Sequence, residues 1–98
     1  MELSDKQKKY LRGLAHDLKP VVLVGNAGVT PNLIAELDRN LDHHELIKIK
    51  LRVGDRDATG AAVDDITTQS RAELVRRIGN VAILFRRNHE NPVVALPK

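Results

Sequence analysis

Apolar positions along the chain change their period several times, and each change marks an element. Leu11, Leu14, Ala15 and Leu18 recur at helical spacing, which predicts a first helix with one apolar face. Ser4 with Gln7 three residues later has the form of a capping box at its start. Pro20 ends it, because the residue before a proline avoids the α region. The run from Val21 to Val24 is continuous and mostly β-branched, as expected of a short strand buried on both faces. Gly25-Asn26-Ala27-Gly28 then turns the chain. Thr30 as N-cap and Pro31 as first helical residue open a second helix, with Leu33, Ile34, Leu37 and Leu41 along its inner stripe.

From Glu45 to Arg52 the period becomes two. Ile47, Ile49 and Leu51 fall on one face and Lys48, Lys50 and Arg52 on the other, the pattern of a half-buried strand with a positive outer face. Between about Asp57 and Gln69 the signal weakens. Ala61, Ala62, Val63 and Ile66 favour a helix, while Gly60, Thr67 and Thr68 lower its propensity. The segments ELVRRI and VAILFR flank Gly79-Asn80, a two-residue hairpin signal. The tail holds Pro92 and Pro97 and reads, from residue 91 onward, as an extended arm or edge segment. The order is therefore α-β-α-β-α-β-β. Helices between strands imply parallel crossovers, and the hairpin makes the last strand antiparallel. A two-layer α/β domain with one mixed four-stranded sheet is expected.

Composition narrows the function more than the fold. The 98 residues suffice for one domain with one core, spanning 1–98. Sixteen Lys+Arg against thirteen Asp+Glu give a net charge of +3, too mild an excess to name a partner. Its distribution is more informative. Lys6, Lys8, Lys9, Arg12 and Lys19 crowd the start, Lys48, Lys50 and Arg52 alternate in the middle, and Arg76, Arg77, Arg86 and Arg87 lie near the end. Asp55, Asp57, Asp64 and Asp65 gather elsewhere. A basic face opposite a more acidic one is the electrostatic outline of a nucleic-acid binder. The absence of cysteine removes disulfides, thiol nucleophiles and cysteine-based zinc sites. No apolar run approaches a membrane span and the start lacks the apolar middle of a signal peptide, so a cytoplasmic protein is expected. Tyr10 and Phe85 are the only aromatics, which counts against a surface that stacks bases on several rings.

The glycine turn is the main candidate for chemistry. A dinucleotide fingerprint needs a glycine two residues before Gly25, where Leu23 stands. A P-loop needs Lys-Ser or Lys-Thr after its last glycine, but Val29-Thr30 follow Gly28. Two glycines three apart at a strand–helix junction still allow a phosphodiester close to the backbone, facing the N–H groups of the second helix, as in the KH module. The same pattern also suits a purely structural tight turn. His43-His44 are adjacent and diverge, with no third ligand at suitable spacing, so no metal is expected. Asp64-Asp65 read as a solvated helix face. The Lys48, Lys50 and Arg52 stripe either keeps an exposed sheet soluble or binds a polyanion.

Three blocks, LKPVVLVGNAGVT, HHELIKIK and RRIGNVAILFRR, in that order and spacing, resemble the CRM domain (chloroplast RNA splicing and ribosome maturation), in its stand-alone bacterial YhbY-type form. The resemblance runs from about Leu3 to Leu96. It implies a fold similar to the C-terminal domain of bacterial translation initiation factor 3, KH-like in its Gly-x-x-Gly loop. It also implies RNA binding and association with precursors of the large ribosomal subunit. Carried onto matching positions, the loop is Gly25, Asn26, Ala27 and Gly28, the basic strand residues are Lys48 and Lys50, and Lys19 precedes the first strand. The chain departs from the family pattern in lacking a lysine between the loop glycines, in Phe85 where tyrosine is frequent, and in Arg77 at a usually apolar position.

The function expected is binding of ribosomal RNA and assistance of large-subunit assembly, without catalysis, cofactor or metal. The expected RNA contacts are Gly25 to Gly28, Lys8, Lys9, Arg12, Lys19, Lys48, Lys50 and Arg52. A protein-interaction module with a basic docking face is the alternative, and a nucleotide-using enzyme a weaker one, since no general base adjoins the turn.

Overall fold

The structure, a computed structural model, describes residues 2–98. Its elements follow the expected order: α1 (Asp5–Ala15), β1 (Val22–Val24), α2 (Pro31–His44), β2 (Leu46–Leu51), α3 (Arg56–Ser70), β3 (Glu73–Ile78) and β4 (Val81–Phe85). The strands form one sheet in the order β1-β2-β4-β3. β1 and β2 are parallel, and β4 runs antiparallel to both β2 and β3.

The helix starts behave as their capping residues predict. Ser4 and Gln7 bond reciprocally as a capping box, and Thr30 Oγ1 accepts from the Leu33 N–H. α3 is a regular helix capped by Asp55, whose Oδ1 accepts from the Ala58 N–H. Its buried stripe is Thr59, Val63, Ile66 and Ser70. Two of these four carry hydroxyls, which donate to the Asp55 and Ile66 carbonyls and so are buried without an unpaired group. That substitution of hydroxyl for hydrocarbon is why the apolar period is faint there. Gly60 also has a reason: a Cβ there would stand 2.9 Å from the Arg77 guanidinium, which lies against the helix and donates to the Arg56 carbonyl.

The layering corrects the two-layer expectation. α2 and α3 cover one face around Val22, Val24, Ile47, Ile49, Leu51, Ala82 and Leu84. α1 lies on the other face, over Leu46, Val75, Ile83 and Phe85, with Val94 and Leu96 of the tail beside it. It covers only part of that face, so a partial third layer is added. This overturns the burial of Val21 to Val24 on both faces. β1 is an edge strand with no residue in the cluster beneath α1, and Leu23 is 54% exposed. α1 also stops at Ala15 rather than at Pro20, with a turn at His16-Asp17. Leu11 and Ala15 are buried but Leu14 is exposed, because a helix packed by one narrow stripe on a flat sheet seals only its innermost residues, and Leu18, beyond the helix end, is exposed as well.

The tail is an arm without strand pairing, held from inside the fold. Glu45 ends α2 with a φ of 62° and is fully buried. Its carboxylate accepts from the N–H groups of Asn88 (2.7 Å), Val93 (2.6 Å) and Val94 (2.7 Å), and from Arg87 Nη1 at 3.1 Å. Burial alone would push this carboxyl up. The three backbone donors and the Arg87 charge outweigh it and hold the group below its ordinary value. At the far end of the tail, Gln7 Nε2 donates to the Pro97 carbonyl.

Candidate nucleic-acid interface

The parallel strands β1 and β2 run toward the end of the sheet where the β3–β4 hairpin turns. The Arg52 N–H donates to the Val24 carbonyl and the Leu51 N–H to the Asn80 carbonyl, each at 2.8 Å. The glycine turn, Arg52 and the Gly79-Asn80 turn therefore share one rim. Gly79 has a φ of +58° and Asn80 does not share the sign, the type II′ pattern that matches strand twist.

The Gly25–Gly28 turn is closed by the Gly28 N–H donating to the Gly25 carbonyl at 2.9 Å. Gly28 has a φ of +73°, so the backbone itself favours glycine there. Gly25 has no positive φ, and a Cβ at either glycine would meet nothing within 4 Å. The fold thus gives Gly25 no internal reason, and the turn presents bare backbone to the outside, with Asn26 and Ala27 exposed.

The α2 N-terminus is a narrower anion site than the sequence suggests. Pro31 has no N–H, the Leu33 N–H is taken by Thr30 Oγ1 and the Ile34 N–H by the Thr30 carbonyl. Among the described residues, the Asn32 N–H is the donor of this turn left to an outside group. The efficient cap that starts the helix uses the very groups a ligand would need.

The basic face is the one α1 partly covers. Strand register sets two rows across it: Leu23, Lys50, Val81 and Ile78 nearest the glycine rim, then Lys48, Ile83 and Arg76. Between these rows and α1 lies a groove of about 610 Å³ lined by Arg12, Gly13, His16, Lys48, Arg76, Ile78, Val81 and Ile83. Lys8 stands one helical turn before Arg12 on the same side of α1. Arg76 reaches this face through a bulge. The β3 register shifts between Leu74 and Arg76, so Val75 and Arg76 both face α1 and Arg77 returns to the α3 side.

The structure brings together Gly25 to Gly28, Arg52, Lys50, Lys48 and Arg12. It separates two expected contacts from them. Lys9 lies about 100° around the helix from Lys8 and borders a shallow patch with Lys6, Tyr10, Leu14 and Pro97. Lys19 sits in the approach to β1, at the end opposite the glycine turn. The arginines near the chain end also divide. Arg86 bonds Asp38 and Asp42 at 2.8 and 2.9 Å and donates to the Ser70 carbonyl, tying β4 to α2 and α3. Arg87 serves Glu45 and lies over the Phe85 ring, while Arg77 donates to the Arg56 and Gly79 carbonyls. Among the described residues no ion pair involves Lys48, Lys50, Arg52, Arg12 or Arg76. Arg76, His16, Leu23 and Ile78 were absent from the expected contacts. The bulge places Arg76 and Ile78, the edge position of β1 exposes Leu23 and the packing of α1 brings His16 to the groove, and none of these leaves a trace in the residue pattern.

The remaining candidates carry little. His43 and His44 stack edge-to-face at 4.6 Å on the exposed last turn of α2. Among the described residues no three His, Cys, Asp or Glu side chains could hold a metal ion together. Asp64 and Asp65 are exposed on α3, and Asp65 accepts from Gln69. No helix of the described residues is long and apolar enough to cross a membrane.

Comparison with known proteins bears on this surface. A probable RNA-binding protein of Pseudomonas aeruginosa is 44% identical over 88 residues, covering 90% of this chain and 85% of that protein. An RNA-binding protein of Haemophilus influenzae is 42% identical over 88 residues, covering 90% and 89%. The solution structure of a hypothetical protein of Staphylococcus aureus superposes with a TM-score of 0.83 at 34% identity, over 98% of this chain and 100% of that one. The model of the CRS1 / YhbY (CRM) domain matches residues 3–86, from the approach to α1 to the first residue after β4. The glycine turn, the basic second strand and the final hairpin are thus held in one family frame, and the chain belongs to the CRS1 / YhbY (CRM) domain family.

Proposed function

We propose that this chain binds ribosomal RNA in precursors of the large ribosomal subunit and assists their assembly in the cytoplasm. It acts as a single RNA-binding domain over residues 1–98, with 91–98 as its tail. The observation that carries the reading is the convergence of the bare glycine turn with five cations that have no partner in the fold. Arg52, Lys50, Lys48, Arg76 and Arg12 lie on one rim and the face beside it. The relatives named as RNA-binding proteins support the RNA part, and the family resemblance supports the ribosomal part. The mechanism is positional. Backbone of the turn and the Asn32 N–H approach one phosphate, and the cations hold its neighbours by charge. Lys8 extends this surface, whereas Lys9 and Lys19 contribute at most long-range attraction.

Salt dependence tests the mechanism. Five phosphate contacts to a single strand predict a log–log slope of affinity against salt of roughly −3 to −4, and a slope near zero overturns the reading. Sedimentation of the tagged protein through a sucrose gradient tests the target, with co-migration with immature large subunits expected at low salt. Association that survives nuclease would instead favour docking on an acidic protein.

A further inference from the structure

The groove beside α1 has an aliphatic floor as well as basic walls. Ile78, Val81 and Ile83 form the floor, and Leu23 continues its first row toward the glycine turn. Ile78 is 58% exposed, and Leu23, on the opposite edge strand, nearly as much. Arg12, His16, Lys48 and Arg76 ring this floor, and no carboxylate is among the described lining residues. The volume falls within the ~300–1,000 Å³ of clefts that enclose a small organic ligand.

A surface that only gripped phosphates would need the cations and not the floor. A second copy of this chain docking by the same face would bring its own cations against these, and nothing in the groove compensates them. An apolar floor ringed by positive charge fits a group with apolar faces and anionic edges, which describes a nucleotide outside a helical stack. A base-paired nucleotide keeps its faces against its neighbours and offers nothing to such a floor. The scarcity of aromatic residues does not oppose this, because an aliphatic surface also covers a base face, at lower energy than a ring.

We propose that this groove is a site for an unpaired RNA nucleotide, with its base on Ile78 and Val81 and its phosphates on Lys48, Arg76 and Arg12. The proposal rests on the RNA-binding reading above and adds to it a requirement for unpaired bases.

The test uses the full chain and two single-stranded RNA oligomers of equal length and phosphate number, one carrying abasic residues in its central segment. Fluorescence anisotropy should show the parent binding the intact strand on the order of fivefold more tightly than the abasic one. Ile78→Ser should lose that preference while keeping the parent's affinity for the abasic strand, and circular dichroism melting should confirm that it is folded. Equal affinity of the parent for both strands overturns the proposal while leaving phosphate-driven RNA binding intact. An Ile78→Ser variant that keeps the preference overturns it as well. Failure of both strands to bind the parent at low salt removes the RNA-binding reading and the proposal with it.

Discussion

The two faces of the sheet are built from the same strands and use their charges in opposite ways. On the α2/α3 side, Arg86 and Arg77 reach inward to carboxylates and carbonyls and fasten helices to strands. On the α1 side, Lys48, Lys50, Arg76 and Arg12 make no ion pair, and all but Lys50 line a groove. Arg76 and Arg77 are neighbours in sequence and belong to different faces. The count of basic residues therefore says little about a binding surface. A cation free to bind must lack a partner inside the fold and share the groove's face with others like it, and among the described residues Lys9 and Lys19 meet only the first condition.

The contrast breaks most visibly at Glu45, the internal end of the tail clamp. Glu45→Gln leaves the Arg87 guanidinium without its charge partner in a buried site, and a loss of about 3 kcal/mol or more in unfolding free energy is expected from urea titration. Protection of the Val93 and Val94 amides from hydrogen exchange should fall with it. Acid titration sharpens the point. Glu45 has a folded pKa below its unfolded value, so its contribution is complete above the ordinary carboxylate range. It is lost as pH falls through the lowered folded value, and Glu45→Gln should remove that part of the acid limb.

Arg86→Ala removes a stapling arginine and should cost about 2 kcal/mol of stability, since four charge-assisted bonds and the packing of its stem go together. RNA affinity of the folded fraction should stay unchanged. If affinity fell while melting did not, the division between the two faces would be wrong.

At the rim, Gly28→Asp adds bulk and negative charge beside bare backbone. We expect at least a tenfold loss of RNA affinity, about 1.4 kcal/mol, measured by anisotropy together with melting, because the positive φ of 73° also strains the new residue. A folded Gly28→Asp that binds RNA like the parent would reduce the turn to a structural role.

The smallest effect on the fold should come from Arg76→Ala. Its side chain is exposed and unpaired, so stability should change by less than about 0.5 kcal/mol. The salt slope should flatten by about 0.7, the share of one phosphate contact. Arg77→Ala provides the converse, a loss of stability with no change in slope.

The local rules were legible wherever one short segment decides the outcome. Ser4, Thr30 and Asp55 cap their helices through side chains a few residues from the groups they satisfy. Gly79-Asn80 turns because backbone geometry demands it, and Ile47, Ile49 and Leu51 alternate because the sheet has a buried face. The order of elements and the parallel-then-antiparallel pairing follow from these together with the handedness of crossovers. The glycine turn and Lys48, Lys50 and Arg52 were readable as a candidate surface for the same reason.

The rest depended on which element lies over which. α1 crosses to the far face of the sheet and covers only part of it, which leaves Leu23 on the edge strand uncovered and creates the groove. A bulge of one residue in β3 decides that Arg76 faces the groove and Arg77 the helix. Glu45 is a polar residue at a helix end in the sequence, and only the tail returning across the sheet turns it into a buried clamp. Hydrophobic period, caps and turns are set by neighbours along the chain, and the sequence by itself determined them. The sorting of charges into those that fasten the fold and those left without a partner is set by contacts up to 49 residues apart, where burial and the presence of a partner are properties of the packed molecule alone.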